Sequence, residues 1–371
     1  MYINKSGFAT VIIGGEFSGD LVVKGTFTIG SNSIVNDIYE GRDLILHGNF
    51  DSYGFFQFDV ANVEFSGDTQ YVNMNSGDYF DDMIINSPAI VTLSDNLTIN
   101  GDLHLNYGNL TSNDYDISIK GDWQNDTGSL LGFFPGAGEV VFNGTEDQYC
   151  YEEQFNELHL NKSSGELIIP NGANVSCTGY EWTQGILTVD GGTFTTDDIL
   201  DTTIKGTYQL IDGQIDLHQD ATYYPDVNGS IIIYDGVFNI HGGGDECYFA
   251  SANDAYLYMS GGVLDVKDWG IHIDDNNQFS HVITGGTIKM NGSFSSDRHD
   301  FSPTGGYVHL YGSEDAEIDF GWGNEFHHLV INKQVSKEFV KKEQRSSKRR
   351  PMSTRRNTRS GILTLNQDLI V

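Results

Sequence analysis

The sequence is short of cysteine, proline and long apolar runs, and each shortage excludes a class of protein. Its 371 residues include only 3 cysteines and 6 prolines. Three scattered cysteines, Cys150, Cys177 and Cys247, are too few for a disulfide framework, so we expect them to be buried as small apolar side chains. No run of eighteen apolar residues is present, which excludes a transmembrane helix. The first thirty residues show no charged segment followed by an apolar one, the pattern of a signal peptide.

Basic residues are scarce as well. The chain has 20 lysines and arginines against 52 aspartates and glutamates, which gives a formal net charge of −32. Such a surface repels phosphate backbones, so nucleic acid is not an expected partner of the acidic body. The same charge keeps an elongated protein in solution and attracts cations. We therefore expect neither nucleic-acid binding by this body nor insertion into a membrane.

Glycine, by contrast, is abundant and recurs at a short, regular spacing. Six phrases place a glycine next to a short apolar segment: DGGTF (190–194), IDGQI (211–215), YDGVF (234–238), SGGVL (260–264), TGGTI (284–288) and TGGYV (304–308). Successive reference glycines, at positions 192, 213, 236, 262, 286 and 306, are 20 to 26 residues apart. One coil of a parallel β-helix requires alternating strands joined by glycine turns at this spacing.

A longer phrase recurs three times and forms a module. Each copy has an alternating strand, a turn around glycine, and a second alternating strand that ends at asparagine. The copies run from VEFSGDTQYV to YFDDMIINS (63–87), from VVFNGTEDQY to QFNELHLNKSSG (140–165) and from VHLYGSEDAE to EFHHLVINK (308–333). The opening MYINKSG (1–7) repeats the end of the module. We expect the asparagines at these strand ends to form side-chain ladders between coils.

These periods predict an all-β fold, a single-stranded parallel β-helix with coils of about 20–26 residues. Alternate side chains fill the bore, and the next coil stacks on them at ~4.8 Å. A β-propeller is the main rival, but its blades need ~40–50 residues. No long amphipathic helix is apparent, which disfavours α/β folds. We predict one β-helix over 1–333, a basic insert over 334–359 and a returning β-helix strand over 360–371.

The predicted insert reverses the charge of the chain. Between Lys337 and Arg359 lie ten of the twenty basic residues and only two acidic residues. Three interpretations are open. The segment is a disordered loop inserted at a coil corner, a foreign stretch produced by a local reading-frame error, or a basic docking site for an acidic polymer or nucleic acid.

Two stretches one predicted coil apart, HGGGDECYF (241–249) and WGIHIDDNNQ (269–278), carry the candidate catalytic residues. These are Asp245, Glu246, His272, Asp274 and Asp275. A carboxylate pair there can protonate a glycosidic oxygen and activate water. The GDEC phrase resembles the Asp-Asp-Cys stretch of β-helical polygalacturonases, but their full set of acid pair, histidine and Arg-x-Lys is not found here. Polar residues in glycine-rich turns are the competing interpretation.

Acidic turns and aromatic side chains supply the remaining candidates. The stretches TTDDILDTT (195–203) and DDNN (274–277) offer oxygen ligands of the kind that calcium prefers. Neither matches an EF-hand loop, and we predict no cofactor apart from calcium. Aromatic side chains of the later coils can stack on sugar rings, although we expect most of them to fill the bore. The calcium candidates are Asp197, Asp198, Asp274 and Asp275, and the sugar-binding candidates are Tyr223, Tyr224 and Trp269.

The phrases F-x-x-L-x-I-N-K, G-D-W-x-N (121–125) and S-G-G-V-L together resemble those of secreted bacterial right-handed β-helix repeat proteins. These are large cell-surface or adhesin-like molecules of pectate-lyase-like architecture. The resemblance covers nearly the whole chain except 334–359. It implies right-handed coils and an extracellular or cell-surface location. Members of that group carry an export signal and a C-terminal anchoring module, and neither is visible here.

Three functions follow from these observations as hypotheses. The first is a non-catalytic β-helix that mediates adhesion or contact with polysaccharide or a cell-surface glycan. The second is a polysaccharide lyase or glycoside hydrolase on the same fold, and the third is a structural spacer. Because the opening phrase is internal to a module elsewhere, we expect Met1 to be an internal methionine or a truncated start, and the chain to be a piece of a longer exported protein. Uncapped terminal coils would then favour self-association.

Overall fold

In a computed structural model the chain is built from β-strands joined by turns. The structure describes residues 2–3, 9–12, 19–37, 43–86, 88–128, 132–200, 203–219, 226–242, 246–250, 253–267, 270–274, 279–297, 301–320, 323–334 and 362–364. No helix occurs in these segments, so none of them contains a helix able to cross a membrane. The predicted all-β class is therefore confirmed.

The chain divides into two compact units, Met1–Leu200 and Asp201–Val371. The first unit contains β1 (Tyr2–Ile3), β2 (Ala9–Ile12), β3 (Leu21–Val23), β4 (Phe27–Ile29), β5 (Ser33–Asp37), β6 (Leu44–Leu46), β7 (Phe50–Ser52), β8 (Phe55–Phe65), β9 (Thr69–Asn73), β10 (Tyr79–Asn86), β11 (Ile90–Leu93), β12 (Leu97–Ile99), β13 (Leu103–Asn106), β14 (Asn109–Thr111), β15 (Ile117–Ile119), β16 (Trp123–Asn125), β17 (Phe133–Phe134), β18 (Glu139–Phe142), β19 (Gln148–Tyr149), β20 (Glu153–Ile169) and β21 (Asn174–Ile199). The second unit contains β22 (Thr207–His218), β23 (Asp226–Val227), β24 (Ser230–Ile233), β25 (Val237–His241), β26 (Glu246–Phe249), β27 (Ala255–Met259), β28 (Val263–Asp265), β29 (Gly270–Ile273), β30 (Phe279–Ile283), β31 (Thr287–Met290), β32 (Phe294–Ser296), β33 (Tyr307–Gly312), β34 (Glu317–Phe320), β35 (Leu329–Lys333) and β36 (Ile362–Thr364).

Parallel stacking defines the first unit. One sheet has the order β1-β4-β7-β9-β11-β14-β17, so each strand pairs with a strand of the next coil. A second column of strands follows β12, β15, β18 and β20. In that column 20 residues separate Leu97 from its partner Ile117, and 18 separate Val140 from Leu158. The shortest coils therefore fall slightly below the predicted 20–26 residues.

The second unit is stacked in the same way. Strand β22 pairs first with β24 and then with β25, and the following coils continue as β24-β27-β30 and as β25-β28-β31-β33-β35. A further sheet has the order β23-β26-β29-β32-β34-β36. The two units together comprise about 12 turns of β-solenoid, which confirms the predicted parallel β-helix class.

Strand β36 is the described part of the predicted returning strand. It pairs with β34 antiparallel, with Glu317 opposite Thr364, whereas the module pattern predicts a parallel strand. The predicted basic insert over 334–359 lies outside the described residues, apart from Gln334.

Glycine turns separate the two arms of each coil in the second unit, as the repeated phrases predict. Gly262 and Gly286 have φ of 64° and 79°, values that disfavour side chains with a Cβ. The corners also stack closely, because a Cβ on Gly286 would lie 2.3 Å from the carbonyl oxygen of Gly261. Only glycine suits both the conformation and the spacing at this corner.

Apolar side chains fill the bore of each unit. In the first unit Phe27, Phe50 and Phe80 belong to one buried cluster, with ring centroids 5.8 Å apart for Phe27 and Phe50 and 5.1 Å apart for Phe50 and Phe80. All three cysteines are also buried, and all three are free thiols. Desolvation raises the pKa of the Cys177 thiol to about 12, so this cysteine is a small apolar side chain, as predicted.

Two of the three module copies carry a buried glutamine shortly after the glycine of the turn. Gln70 accepts a hydrogen bond from the Gly67 amide at 2.8 Å and donates to the carbonyl oxygens of Leu46 and Gly48. Gln148 repeats the arrangement, accepting from the Gly144 amide and donating to carbonyl oxygens of the preceding coil. Each side chain therefore satisfies backbone groups that the turn leaves unpaired.

In two of the three copies a lysine follows the module asparagine, and it has a related role. Lys162 Nζ donates to the carbonyl oxygens of Gly144 and Glu146, at 2.9 and 2.8 Å. Lys333 donates to the carbonyl oxygens of Asn291 and Glu314, at 2.6 and 2.9 Å. The Asn-Lys phrase therefore marks a lysine that closes the turn of the preceding coil.

Candidate functional site

Three of the five predicted catalytic residues, Glu246, His272 and Asp274, lie in described segments. Glu246 opens β26 and His272 lies in β29, and these strands pair as expected, with Tyr248 opposite His272. His272 Nδ1 lies 2.8 Å from Ser295 Oγ, and its Nε2 lies 3.9 Å from an oxygen of Asp297. Asp274 follows β29, and its amide donates to the Phe249 carbonyl at 3.1 Å. The other two candidates, Asp245 and Asp275, lie outside the described residues.

The predicted sugar-binding residues lie outside the described segments, whereas the predicted calcium ligands Asp197 and Asp198 lie within them. Tyr223, Tyr224 and Trp269 fall in segments that the structure does not describe. Asp197 is exposed and Asp198 is half-buried at the end of β21, where the Thr196 hydroxyl donates to the Asp198 carbonyl at 2.6 Å. The calcium prediction for these two carboxylates stays a prediction.

A column of polar side chains crosses five successive strands of the second unit. Register pairs Asp216 with Asn239, Asn239 with Asp265, Asp265 with Lys289, and Lys289 with His309. Apolar residues on either side of each member point into the bore, so the alternation directs these five side chains away from it. Asn239 and Asp265 are nevertheless buried, each only 4% exposed. We call these five residues the polar column.

Asp265 is the most strongly bound member of the polar column. Its carboxylate lies 3.1 Å from Lys289 Nζ and 3.4 Å from Lys267 Nζ, and Tyr311 Oη donates to it at 2.9 Å. The Lys289 ammonium also lies 5.0 Å from the centroid of the Tyr311 ring, a cation–π contact. Burial opposes ionisation of Asp265, but these hydrogen bonds and charges outweigh it and lower its pKa.

Two histidines, His218 and His241, lie beside the Asp216 end of the column. His241 Nε2 lies 3.6 Å from an Asp216 carboxylate oxygen, and the rings of His218 and His241 are 4.1 Å apart. Burial raises the pKa of Asp216, but hydrogen bonds from His241 and other neighbours reverse this and lower it to about 2. Asn239 donates to Asp216 and is only 4% exposed, and its Oδ1 has no hydrogen-bond partner in the described structure.

The low pKa values limit the chemistry that the polar column can perform. A glycoside hydrolase needs a carboxylic acid with a raised pKa that protonates the leaving oxygen. Asp216 and Asp265 both have lowered pKa values and are therefore ionised across the neutral range. Neither carboxyl group is therefore protonated at neutral pH, as a general acid would have to be.

Tyrosines face outward on the neighbouring arm of the same coils. Tyr256 and Tyr258 alternate with buried Ala255, Leu257 and Met259 along β27, so both rings lie on the outer side of the strand. Tyr234, which follows β24, is 44% exposed, and its ring centroid is 5.4 Å from that of Tyr258. We call Tyr234, Tyr256 and Tyr258 the tyrosine row. We expected most aromatic side chains of the later coils to fill the bore, but these three tyrosines lie outside it.

The first unit holds a separate cluster on β18, β20 and β21. One ligand atom each from Glu139, His159 and Glu181 lie within 4.8 Å of one another. His159 Nδ1 lies 2.9 Å from Glu139 Oε1, and its Nε2 lies 2.8 Å from Thr183 Oγ1. Burial raises the pKa of Glu139, and repulsion from Glu181 adds to that effect against the attraction of His159.

No protein-family model, curated protein or solved structure matches this chain. The structure supports the resemblance seen in the sequence only as far as its architecture, a parallel β-solenoid.

The polar column was missed in the sequence, although a signal for it is present. Each member stands three positions after a corner glycine, at Gly213, Gly236, Gly262, Gly286 and Gly306. Aligning the phrases on their glycines therefore places the five polar residues in register. The His159 cluster has no comparable signal, because its members come from strands of unequal length and one of the two pairings contains register shifts.

Proposed function

We propose that this protein is a non-catalytic β-solenoid that contacts a neutral polysaccharide through the outer surface of its second unit. The tyrosine row is the observation that carries the proposal, because outward aromatic rings in adjacent coils offer apolar surface to the faces of sugar rings. Strands repeat at ~4.8 Å along the stack, so a polymer of repeated rings suits this surface better than a single small molecule.

The polar column supplies the second half of the proposed contact. It follows the tyrosine row in the same coils, separated from it by the glycine corners. Its half-buried members Asp216, Lys289 and His309 provide the donors and acceptors that hydroxyl groups require. Lys267 and Lys289 are both engaged by Asp265, and the net charge of −32 repels polyanions. A neutral glycan is therefore favoured over a polyuronate.

Location and assembly belong to the same proposal. The resemblance to secreted bacterial repeat proteins supports an extracellular or cell-surface position and a role in adhesion. Self-association is supported by β35, the last described strand of its ladder, where Leu329 and Ile331 are exposed. Light scattering after size-exclusion chromatography tests this part, since a strictly monomeric chain at all concentrations contradicts it.

Affinity electrophoresis in gels containing soluble neutral polysaccharides tests the glycan contact. We expect retardation of the wild type, and retardation at least tenfold weaker for the double variant Tyr234→Ala, Tyr258→Ala. Tyr53→Ala, which removes an exposed tyrosine of the first unit, is the matched control and should behave as the wild type. Equal retardation of all three proteins, or none on any polysaccharide, contradicts the proposal. Release of reducing ends during incubation contradicts its non-catalytic part.

A further inference from the structure

The His159 cluster lies in the first unit, apart from the residues of the proposed glycan contact. His159 and Glu181 occupy directly paired positions of β20 and β21. Glu139 lies in β18, two residues before Val141, which is the partner of His159. Three adjacent coils therefore hold the three side chains, and strand pairing fixes their spacing before any ligand arrives.

A β-bulge orients the imidazole. Leu160 pairs with Trp182 and Asn161 pairs with Gln184, so Thr183 is an extra residue in β21. Its hydroxyl lies 2.8 Å from His159 Nε2. When Nε2–H donates to this hydroxyl, the lone pair of Nδ1 faces the Glu139 carboxylate. Metal-binding histidines show the same arrangement, with the second ring nitrogen held by a hydrogen bond.

Charge at the cluster favours a cation. Glu139 is repelled by Glu181, Asp116 and Glu157, and His159 is the attractive partner among its main charge interactions. The Nδ1 lone pair and the Glu139 oxygen, 2.9 Å apart, are both acceptors in the tautomer described above. A positive charge between them, a proton or a metal ion, resolves this repulsion.

We propose that Glu139, His159 and Glu181 bind a divalent transition-metal ion, with zinc as the probe. One imidazole nitrogen and two carboxylates are donors that zinc accepts, and three protein ligands leave a coordination position for water. The half-buried His159, whose side chain is 14% exposed, limits competition from bulk water. The thiols do not compete for the ion, because all three cysteines are buried.

Isothermal titration of the full chain with zinc chloride, after removal of metal by a chelator, tests the site. We expect His159→Ala to lose one equivalent of bound zinc or to bind it at least tenfold more weakly. Glu181→Gln, which keeps the size of the side chain, should weaken the same equivalent. His104→Ala is the matched control, because His104 pairs with a carboxylate of Asp126 at 2.7 Å but belongs to no three-residue cluster of the described structure. This control should bind zinc as the wild type does.

Thermal unfolding gives a second readout. Excess zinc should raise the melting temperature of the wild type and of His104→Ala, and the rise should be smaller for His159→Ala and Glu181→Gln. Calcium should not substitute for zinc, since it prefers sites made only of oxygen ligands. Equal zinc stoichiometry and affinity in wild type and His159→Ala overturns the proposal. So does tight calcium binding that survives the loss of His159, because the site would then be an acidic surface without a role for the imidazole.

Discussion

Lys162 Nζ donates a hydrogen bond of 2.7 Å to Oε1 of Gln148, and the two side chains are 1% and 0% exposed. Burial lowers the pKa of Lys162 to about 8, against the raising effect of nearby acidic groups. Together the two side chains satisfy the turn that ends β18, since both bind backbone groups of Gly144. Lys162, which lies in β20, thus stabilises the turn at Gly144 in the preceding coil.

Replacement of Lys162 by methionine should therefore destabilise the first unit. Lys162→Met leaves the carbonyl oxygens of Gly144 and Glu146 without their buried donor, and we expect a loss of about 3 kcal/mol in the free energy of unfolding. Denaturant unfolding measures it. Lys24→Met, at an exposed position of the same unit, should change stability by about 0.5 kcal/mol or less. Equal stability of the two variants would show that Lys162 has no structural role.

Glu153 should make stability depend on pH. This carboxyl group is 0% exposed and accepts hydrogen bonds from Trp123 Nε1 at 3.1 Å and Asn125 Nδ2 at 3.0 Å. Burial raises its pKa from 4.5 to about 7 despite these bonds. A raised folded-state pKa means that the folded protein binds the proton more tightly, so the contribution is present below pH 4.5 and is lost as pH rises through about 7.

The measurement compares the wild type with Glu153→Gln. Between about pH 4 and pH 8, the free energy of unfolding of the wild type minus that of the variant should fall by about 3 kcal/mol. Subtraction removes the titration of other groups that the two proteins share. A difference that stays constant over this interval, or that grows with pH, contradicts the prediction.

Asp265 and Tyr311 should be energetically coupled across two coils. The hydroxyl of Tyr311 lies 2.9 Å from Asp265 Oδ1 and 3.0 Å from the carbonyl oxygen of Lys267. A double-mutant cycle with Asp265→Asn and Tyr311→Phe should give a coupling energy of about 1–2 kcal/mol in denaturant unfolding. Tyr307→Phe, at an exposed tyrosine of the same strand, should show a coupling energy near zero with Asp265→Asn. Equal coupling for both tyrosines would mean that the hydroxyl contact is absent.

The corner at Gly262 should not tolerate a side chain. Its φ of 64° is left-handed, and an added Cβ would lie 2.7 Å from Ile233 Cγ2. We expect Gly262→Ala to lower the free energy of unfolding by about 2 kcal/mol. Gly25→Ala is the matched control, because a Cβ there meets no atom within 4 Å. The same cost at both positions would mean that corner geometry is not the cause.

The fold was predictable because its determinants are local. Corner glycines such as Gly262 recur at the coil spacing, and alternating strands such as β27 show which side chains enter the bore. The burial of the cysteines followed from their number and spacing. The pairing of the two strands that carry Glu246 and His272 also followed from one coil length, although Glu246 lies opposite Gly270 and His272 opposite Tyr248. The same alternation places Tyr256 and Tyr258 outside the bore, but the contact of Tyr258 with Tyr234 of the neighbouring coil did not follow from the sequence.

The sequence by itself determined the class of fold, the coil length and the position of the corners, since glycine conformation and strand alternation act within a few residues. Only the tertiary structure decided which outward side chains meet. Asp265 contacts Lys289 and Tyr311 because three coils stack in one register. His159 faces Glu139 across the regular pairing of β18 and β20, and it faces Thr183 because a bulge in β21 shifts the register by one residue. Contacts between coils depend on every intervening turn length, so a local pattern specifies the stack without specifying its surface.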